Sequence, residues 1–290
     1  YIYDVKVNYY TFDTVETMYN QMNLQNEGYY DLICPSDYMI QRLINEDKLE
    51  KVLSALDEIN TGVEFTVEAG RPDRITEENV KMLLRHKVTR ICVNPQTFND
   101  KTLELLGRKH TAADVVEKFH LAREFGFDIN CDLIAGLPEE TLDDFRYSID
   151  TALSLRPENV TVHTLCLKKG SKLKENCSRL GEGEVSAMID YSSRAIISAG
   201  YSPYYLYRQK YMAANQENTG YALPGKVCVY NVDVMEEISD NVACGANAVS
   251  KKIFPDENRI ERYGAPKDIA TYIAKIDAII SEKEKLFGCL

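Results

Sequence analysis

Tryptophan is absent from this chain of 290 residues, and histidine occurs only four times. Eight cysteines are present, but no two lie closer together than Cys166 and Cys177. That spacing excludes a zinc knuckle, a zinc ribbon and a C-x2-C redox pair, so isolated reduced thiols are expected. No H-E-x-x-H pair, Ser-His-Asp set, phosphate loop or dinucleotide fingerprint is present either. The motifs therefore predict no metal site and leave the catalytic residues unknown.

Clustered positive charge and long apolar runs are also missing. The formal net charge is −11, and no polybasic run occurs, which argues against nucleic acid or an anionic membrane as the partner. No apolar run approaches the ~20 residues that span a bilayer, and Tyr1 does not open the basic and apolar pattern of a signal peptide. We expect a cytoplasmic protein that acts on a small molecule.

What the sequence does contain is an alternation of β-rich runs and helical patterns between residues 5 and 165. The predicted strands cover 5–12, 30–34, 63–68, 89–93, 129–134 and 159–165. The predicted helices cover 14–24, 36–57, 76–86, 111–125 and 140–154. Within the fourth of these helices, Val115, Phe119, Ala122 and Phe125 would line one core face. This alternation is typical of βαβ units, so the fold class is α/β with a parallel sheet.

The rhythm changes after Leu165. A helix over 182–199, ended by Gly200, precedes a tyrosine-rich segment with little periodicity, and a last helix is predicted over 266–286. These residues are interpreted as an extension on one edge of the sheet.

Four motifs carry a family resemblance. They are TVEAGRPD at 66–73, VNPQTFND at 93–100, LGRKHT at 106–111 and CDLIAGLPEETLDDF at 131–145. Over roughly residues 55–285 the chain resembles the oxygen-independent coproporphyrinogen III oxidase family of radical S-adenosylmethionine (SAM) enzymes, most closely its coproporphyrinogen dehydrogenase (HemZ) branch. The resemblance implies a partial TIM-type barrel with an α+β C-terminal extension.

The first 52 residues resemble a different family, the periplasmic spermidine/putrescine-binding proteins. Ser36 and Tyr38 stand where that family places ligand-site residues in a P-S-x-Y turn. The predicted domains are thus a βαβα segment at 1–52, a partial barrel at 53–200 and an extension at 201–290. The first segment either continues the parallel sheet or packs as a separate flap. A polyamine-binding protein is the alternative function.

The radical SAM resemblance assigns four residues to S-adenosylmethionine. Glu68 would accept hydrogen bonds from the cationic amino acid end, and Arg108 would bind the carboxylate of the cofactor. Asp132 would bind the ribose hydroxyls, and Gln96 can donate and accept at once. Because ligands gather at the carboxyl ends of parallel strands, we expect these four side chains to line one cavity there.

The resemblance also implies a [4Fe–4S] cluster in intact relatives, held by a C-x3-C-x2-C motif. No such motif occurs here, so the cluster ligands are absent and no turnover is expected. The implied substrate is a tetrapyrrole, and Arg208, Lys210 and nearby tyrosines would suit its carboxylates and flat ring. A non-enzymatic haem-binding relative of the same barrel remains a further alternative.

Overall fold

The computed structural model describes residues 53–54, 64–69, 72, 75–166, 181–208 and 216–288. The strands are β1 Thr66–Val67, β2 Arg90–Cys92, β3 Asp128–Ala135, β4 Asn159–Thr164, β5 Ser202–Tyr207, β6 Asn218–Ala222, β7 Val249–Phe254 and β8 Arg259–Gly264. The helices are α1 Glu77–Arg85, α2 Asp100–Leu105, α3 Ala112–Glu124, α4 Leu142–Leu155, α5 Glu182–Ser198, α6 Val229–Glu236, α7 Ile269–Ala274 and α8 Ile276–Phe287. The predicted segments 5–12, 14–24 and 30–34 lie outside the described residues.

The main sheet has the strand order β1-β2-β3-β4-β6-β5. Strands β1 to β4 are parallel to one another, as the alternating pattern predicted. Strand β6 then pairs antiparallel with β4, and β5 pairs antiparallel with β6. Strand β5 consequently runs in the same direction as β4, and the two late strands extend the sheet at one edge.

One face of this sheet is apolar and packs against helices. Ile91, Ile129 and Leu133 are fully buried on neighbouring strands, and α3, α4 and α5 all contact β3. The predicted stripe of α3 is largely confirmed, because Val115, Phe119 and Ala122 are buried. Burial of these apolar side chains stabilises the packing of α3 on the sheet, as the spacing predicted.

Capping boxes define where two helices that flank the polar loops begin. Thr111 accepts a hydrogen bond from the backbone amide of Asp114, whose carboxylate accepts from Thr111 in return. Thr141 and Asp144 repeat the arrangement at the start of α4. The helix predicted over 140–154 therefore begins later, at Leu142, since its cap is Thr141. This also corrects the expectation that Glu140 lies in the first helical turn.

Three expectations for the later part of the chain need correction or addition. The tyrosine-rich segment supplies β5 and β6, although its sequence showed no clear period. The helix predicted over 266–286 is two helices, α7 and α8, which meet at Lys275. A β7–β8 hairpin, which was not predicted, precedes them.

The chain divides into two compact units, residues 60–235 and residues 1–59 with 236–290. Among its described residues the second unit contains β7, β8, α7 and α8, and α8 contacts both strands. The division into 1–52, 53–200 and 201–290 stays a prediction. In the described ranges, no helix is both long and apolar enough to cross a membrane.

Candidate cofactor site

The second face of the main sheet is polar. Residues that are paired in register on adjacent strands point to the same side, so the pairings identify this face. Its members on the three central strands are Arg90 and Cys92, then Asp128, Asn130 and Asp132, then Asn159, Thr161 and His163. We call this surface the polar face. Alternation of polar and apolar residues along β3 and β4 is the sequence signal that could have revealed it.

At the carboxyl end of the polar face, two predicted residues lie near one buried thiol. Cys92 is 2% exposed, and burial raises its pKa well above the ordinary value. The carboxylates of Glu68 and Asp132 raise that pKa further, and Glu68 also accepts a hydrogen bond from the thiol. Glu68 and Asp132 are therefore brought together around Cys92, at the ends of β1 and within β3.

Gln96 is joined to the same strand through its backbone. Its amide donates to the carbonyl of Asp132 at 3.0 Å, and its carbonyl accepts from the amide of Ile134 at 2.9 Å. Asn94 adds a side-chain bond, because its Oδ1 accepts from the amide of Asp132 at 3.2 Å. The φ angle of Gln96 is +69°, a strained value for a residue with a side chain. Glu68 and Gln96, which follow β1 and β2, thus lie beside Asp132 within β3.

Arg108 lies further along, in the turn after α2. Its backbone amide donates to the carbonyl of Leu103 at 2.9 Å, and Gly107 before it has a φ of +67°. The turn therefore fixes the backbone of Arg108, while its role toward the cofactor carboxylate stays a prediction.

A buried carboxyl group supports the loop that carries Gln96. Glu140 is 1% exposed and accepts a hydrogen bond from the hydroxyl of Thr97. Ser148 of α4 contacts the same hydroxyl at 3.1 Å and accepts from the amide of Phe98 at 2.9 Å. Burial raises the pKa of Glu140 to about 7. Hydrogen bonds to Glu140 and to Ser148 of α4 therefore fix the loop between β2 and α2.

His163 lies late in the strand predicted over 159–165, and the motifs assign it no role. Its Nε2 lies 3.6 Å from Oδ2 of Asp132, and its Nδ1 lies 3.4 Å from the hydroxyl of Tyr207. The contact with Tyr207 is within hydrogen-bond distance, whereas the separation from Asp132 is too long for a hydrogen bond. His163 thus lies between Tyr207 of β5 and Asp132, the residue that is predicted to bind the ribose.

Comparisons with known proteins identify the family of the domain that carries these residues. Residues 34–152 match the model of the Radical SAM superfamily. The chain carries a radical SAM domain. It is also a homologue of HemZ, since it is 40% identical over 240 residues to the oxygen-independent coproporphyrinogen-III oxidase-like protein HemZ of Bacillus subtilis. That match covers 81% of this chain and 48% of HemZ.

Other relatives of this radical SAM domain carry a different name. The heme chaperone HemW of Haemophilus influenzae is 26% identical over 227 residues, which covers 78% of this chain and 55% of that protein. Among solved structures, HemN, the coproporphyrinogen III oxidase of Escherichia coli, superposes with a TM-score of 0.63 at 18% identity. This superposition covers 81% of this chain and 54% of HemN, and it confirms the fold. The chain spans about half the length of these relatives.

Membership of the radical SAM superfamily implies S-adenosylmethionine and a [4Fe–4S] cluster in relatives. The polar face offers acceptors that suit the cofactor's ammonium and hydroxyl groups, in Glu68 and Asp132. A cluster is different, because it needs three thiolates that converge. Cys92 and Cys131 point to opposite faces of the sheet, and the described residues contain no group of three or more metal ligands. Those residues therefore do not fit a cluster.

Two further predictions concern residues for a tetrapyrrole and for a polyamine. Arg208 pairs with Glu217 at 3.1 Å and is exposed, while Lys210 lies outside the described residues. Ser36 and Tyr38, on which the polyamine alternative depends, also lie outside them.

Proposed function

We propose that this chain binds S-adenosylmethionine at the carboxyl end of the polar face and a tetrapyrrole beside it, as a coproporphyrinogen dehydrogenase-like or haem-handling protein. The observation that supports the proposal is that Glu68 and Gln96, which follow β1 and β2, lie beside Asp132 of β3. The carboxylates of Glu68 and Asp132 can accept from the ammonium and hydroxyl groups of the cofactor, and the side-chain amide of Gln96 can both donate and accept. The names HemZ, HemN and HemW of its relatives support the tetrapyrrole.

Each side chain has a defined task in this proposal. Asp132 would accept the hydroxyl hydrogens of the ribose, and Nε2 of His163 lies 3.6 Å from its Oδ2. Glu68 would accept from the ammonium group. Arg108 would bind the carboxylate as a charge-assisted pair. The capping boxes and the Glu140 contacts keep the intervening loops in place, so the ordering cost of binding is small.

Reductive cleavage is not part of the proposal for these 290 residues. A bound cluster supplies the electron in radical SAM chemistry, and the C-x3-C-x2-C motif that would hold it is not in the sequence. Anaerobic reconstitution with iron and sulfide, followed by absorption and Mössbauer spectroscopy, checks this point. We expect no stoichiometric [4Fe–4S] signal, and such a signal would contradict our interpretation of the cysteines.

Calorimetric titration with S-adenosylmethionine tests the binding site. We expect saturable binding to the unmodified chain and a loss of at least about tenfold in affinity for Asp132→Asn and Glu68→Gln, since each removes one charge-assisted contact. Asp143→Asn is the matched control, because Asp143 is an exposed carboxylate in α4. Absence of binding to the unmodified chain, or equal losses in all three variants, would contradict the cofactor assignment.

Two alternatives are separated by the same titration. Spermidine tests the polyamine reading, and haem tests a haem-binding relative without turnover. Saturable binding of spermidine in the absence of any response to S-adenosylmethionine would reverse our ranking. Binding of haem together with S-adenosylmethionine would favour the haem-handling version of the proposal.

A further inference from the structure

The loop between β2 and α2 carries Gln96 in a backbone conformation that a residue with a side chain does not favour. Its φ of +69° lies in the left-handed region. Such a conformation persists only where surrounding contacts hold it in place. On one side, Gln96 is held by its backbone bonds to Asp132 and Ile134 of β3. The contacts on the other side then decide whether the loop can relax.

On that other side, the residues after Gln96 are bonded to two buried polar groups. Oγ1 of Thr97 donates to the carboxyl of Glu140, and Oγ of Ser148 accepts from the amide of Phe98 at 2.9 Å. Glu140 and Ser148 are each 1% exposed. The loop is therefore fixed by groups that water does not reach, and any change in their charge acts directly on the loop.

Glu140 is the group in this network whose charge can change near neutral pH. Burial raises its pKa to about 7, although two threonine hydroxyls lower it. Asp144 of α4 raises the pKa further as a like charge. Lys101 of α2 acts on Asp144 and pairs with the exposed Glu139 at 3.7 Å. Ionisation of Glu140 therefore places an unfavourable charge behind the loop, and a shift of the loop would let water solvate that charge.

We propose that Glu140 is a positioning residue for Gln96, and that its proton controls ligand binding at the polar face. While the carboxyl is neutral, Thr97 stays bonded to it and Gln96 stays beside Asp132, which we call the held loop. When the proton is lost, the loop gives up these contacts and Gln96 leaves its position, which we call the released loop. Ligand affinity therefore falls as pH rises through neutrality. The inference rests on the proposed function for its ligand, S-adenosylmethionine.

The direction and the size of the effect follow from the two states of the loop. The pKa of Glu140 is about 7 in the held loop, whereas that of a solvated glutamate is 4.5. Between these two values, each pH unit multiplies the ratio of released to held loop by about ten, and above pH 7 the ratio levels off. From pH 6 to pH 8 the ratio rises about tenfold, which is the largest fall in affinity that this mechanism allows.

Calorimetric titration with S-adenosylmethionine at pH 6, 7 and 8 tests the effect on binding. Glu140→Gln keeps an acceptor for Thr97 but carries no titrating proton. The ligand's own titration is common to all variants, so the measured quantity is the affinity of a variant relative to the unmodified chain at each pH. For Glu140→Gln this ratio should rise from about one at pH 6 to about threefold to tenfold at pH 8. For the control Glu139→Gln, which changes the same charge on an exposed neighbour, the ratio should stay constant.

Hydrogen exchange of the loop amides tests the positioning role without any ligand. The amides of Phe98 and Asn99 both donate to side chains of the network. Their protection factors, corrected for the intrinsic pH dependence of exchange, should fall from pH 6 to pH 8 more steeply than in Glu140→Gln. The reference is the buried amide of Ile129 in β3. At pH 8 the loop amides should be less protected than this reference, because the loop is released while the sheet stays folded.

The outcomes separate this inference from the proposed function. If S-adenosylmethionine binds the unmodified chain and Glu140→Gln with the same pH profile, control by Glu140 is overturned and the cofactor site stands. If the ligand binds neither, the proposed function fails, and the exchange of the loop amides alone decides whether Glu140 holds the loop. Protection of the loop equal to that of Ile129 at every pH would overturn the inference in either case, because Glu140 would then act on global unfolding only.

A second variant keeps the inference testable if Glu140→Gln does not fold. Thr97→Val removes the hydroxyl that bonds the carboxyl, so it should release the loop at every pH. Its affinity for S-adenosylmethionine should lie about threefold to tenfold below that of the unmodified chain at pH 6 and should approach it at pH 8. A constant ratio between the two chains from pH 6 to pH 8 would contradict control of the loop by the proton on Glu140.

Discussion

At the amino end of the polar face, Arg90 lies between Glu64 and Asp128 at 3.5 and 3.6 Å and donates to Asn130 at 3.0 Å. Its side chain is 4% exposed, and it also donates to backbone carbonyls of the segment after β6. At the carboxyl end, Asp132 is partly exposed and lies 3.6 Å from Nε2 of His163. The amino end thus neutralises its charges within the protein, while the carboxyl end leaves acceptor groups for a ligand.

That contrast teaches how to distinguish structural from functional charges on one surface. A buried guanidinium that is surrounded by carboxylates and carbonyls stabilises the fold, because removing it leaves buried charge without compensation. Carboxylates at the ends of parallel strands, next to loops held by separate contacts, are placed where α/β proteins bind ligands.

The largest effect is expected at the amino end. Arg90→Met keeps much of the side-chain volume but removes the buried cation beside Glu64 and Asp128, of which Asp128 retains its ion pair with Lys226 at 2.8 Å. We expect the free energy of unfolding to fall by about 3–5 kcal/mol, measured by urea denaturation. Lys81→Ala removes an exposed ion pair within α1 and should cause no measurable change. A near-neutral Arg90→Met variant would show that the amino end is not a structural centre.

The second effect concerns the pH dependence of stability. Burial raises the pKa of Glu140 in the folded chain from 4.5 to about 7, so the folded state retains a proton that the unfolded state loses first. Stability should therefore fall as pH rises from about 4.5 to just above 7, by up to about 3 kcal/mol. Glu140→Gln keeps an acceptor for Thr97 without this proton, so it should lack the decrease and exceed the unmodified chain at pH 8.

Urea denaturation at pH 5, 6, 7 and 8 checks the Glu140 prediction. The exposed neighbour Glu139 supplies the control, because Glu139→Gln changes the same charge one residue earlier and should leave the pH profile unaltered. Parallel profiles for Glu140→Gln and the unmodified chain would mean that the buried carboxyl is already ionised at low pH.

The third effect compares two glycines with left-handed backbone. Gly136 follows β3 with a φ of +84°, and an added Cβ would lie 3.2 Å from Cγ2 of Val185. Gly107, before Arg108, has a φ of +67° and open space around it. We expect Gly107→Ala to cost about 1 kcal/mol from backbone strain, and Gly136→Ala to cost about 2 kcal/mol because of the additional contact. Equal melting temperatures for the two variants would show that Val185 moves aside without cost.

The sequence predicted the parallel part of the sheet well, because β1 to β4 and the helices between them follow simple periods and strong caps. Val115, Phe119 and Ala122 are buried as their spacing indicated. Strands β5 and β6 escaped prediction because a bulge and Gly220 interrupt their alternation. Their position depends on pairing with β4, which is a contact between distant parts of the chain that local pattern does not encode.

For the site, motif resemblance indicated Glu68, Gln96 and Asp132 but not the residues that support them. Cys92 between the two carboxylates, and Glu140 behind the Gln96 loop, follow from strand register and burial. His163 stood late in a predicted strand, yet its contact with Asp132 requires the register of β3 with β4. A local sequence pattern does not predict these supporting contacts, because they join residues that are tens of positions apart.

The smallest effect on stability, and the sharpest test of the comparison, is expected for Asp132→Asn. The change removes a partly exposed carboxylate and weakens only its 3.6 Å contact with His163. We expect the free energy of unfolding to change by less than about 1 kcal/mol, while affinity for S-adenosylmethionine is lost. If Asp132→Asn instead destabilised the chain as much as Arg90→Met, both ends of the polar face would be structural. The contrast would then no longer support a binding site at the carboxyl end.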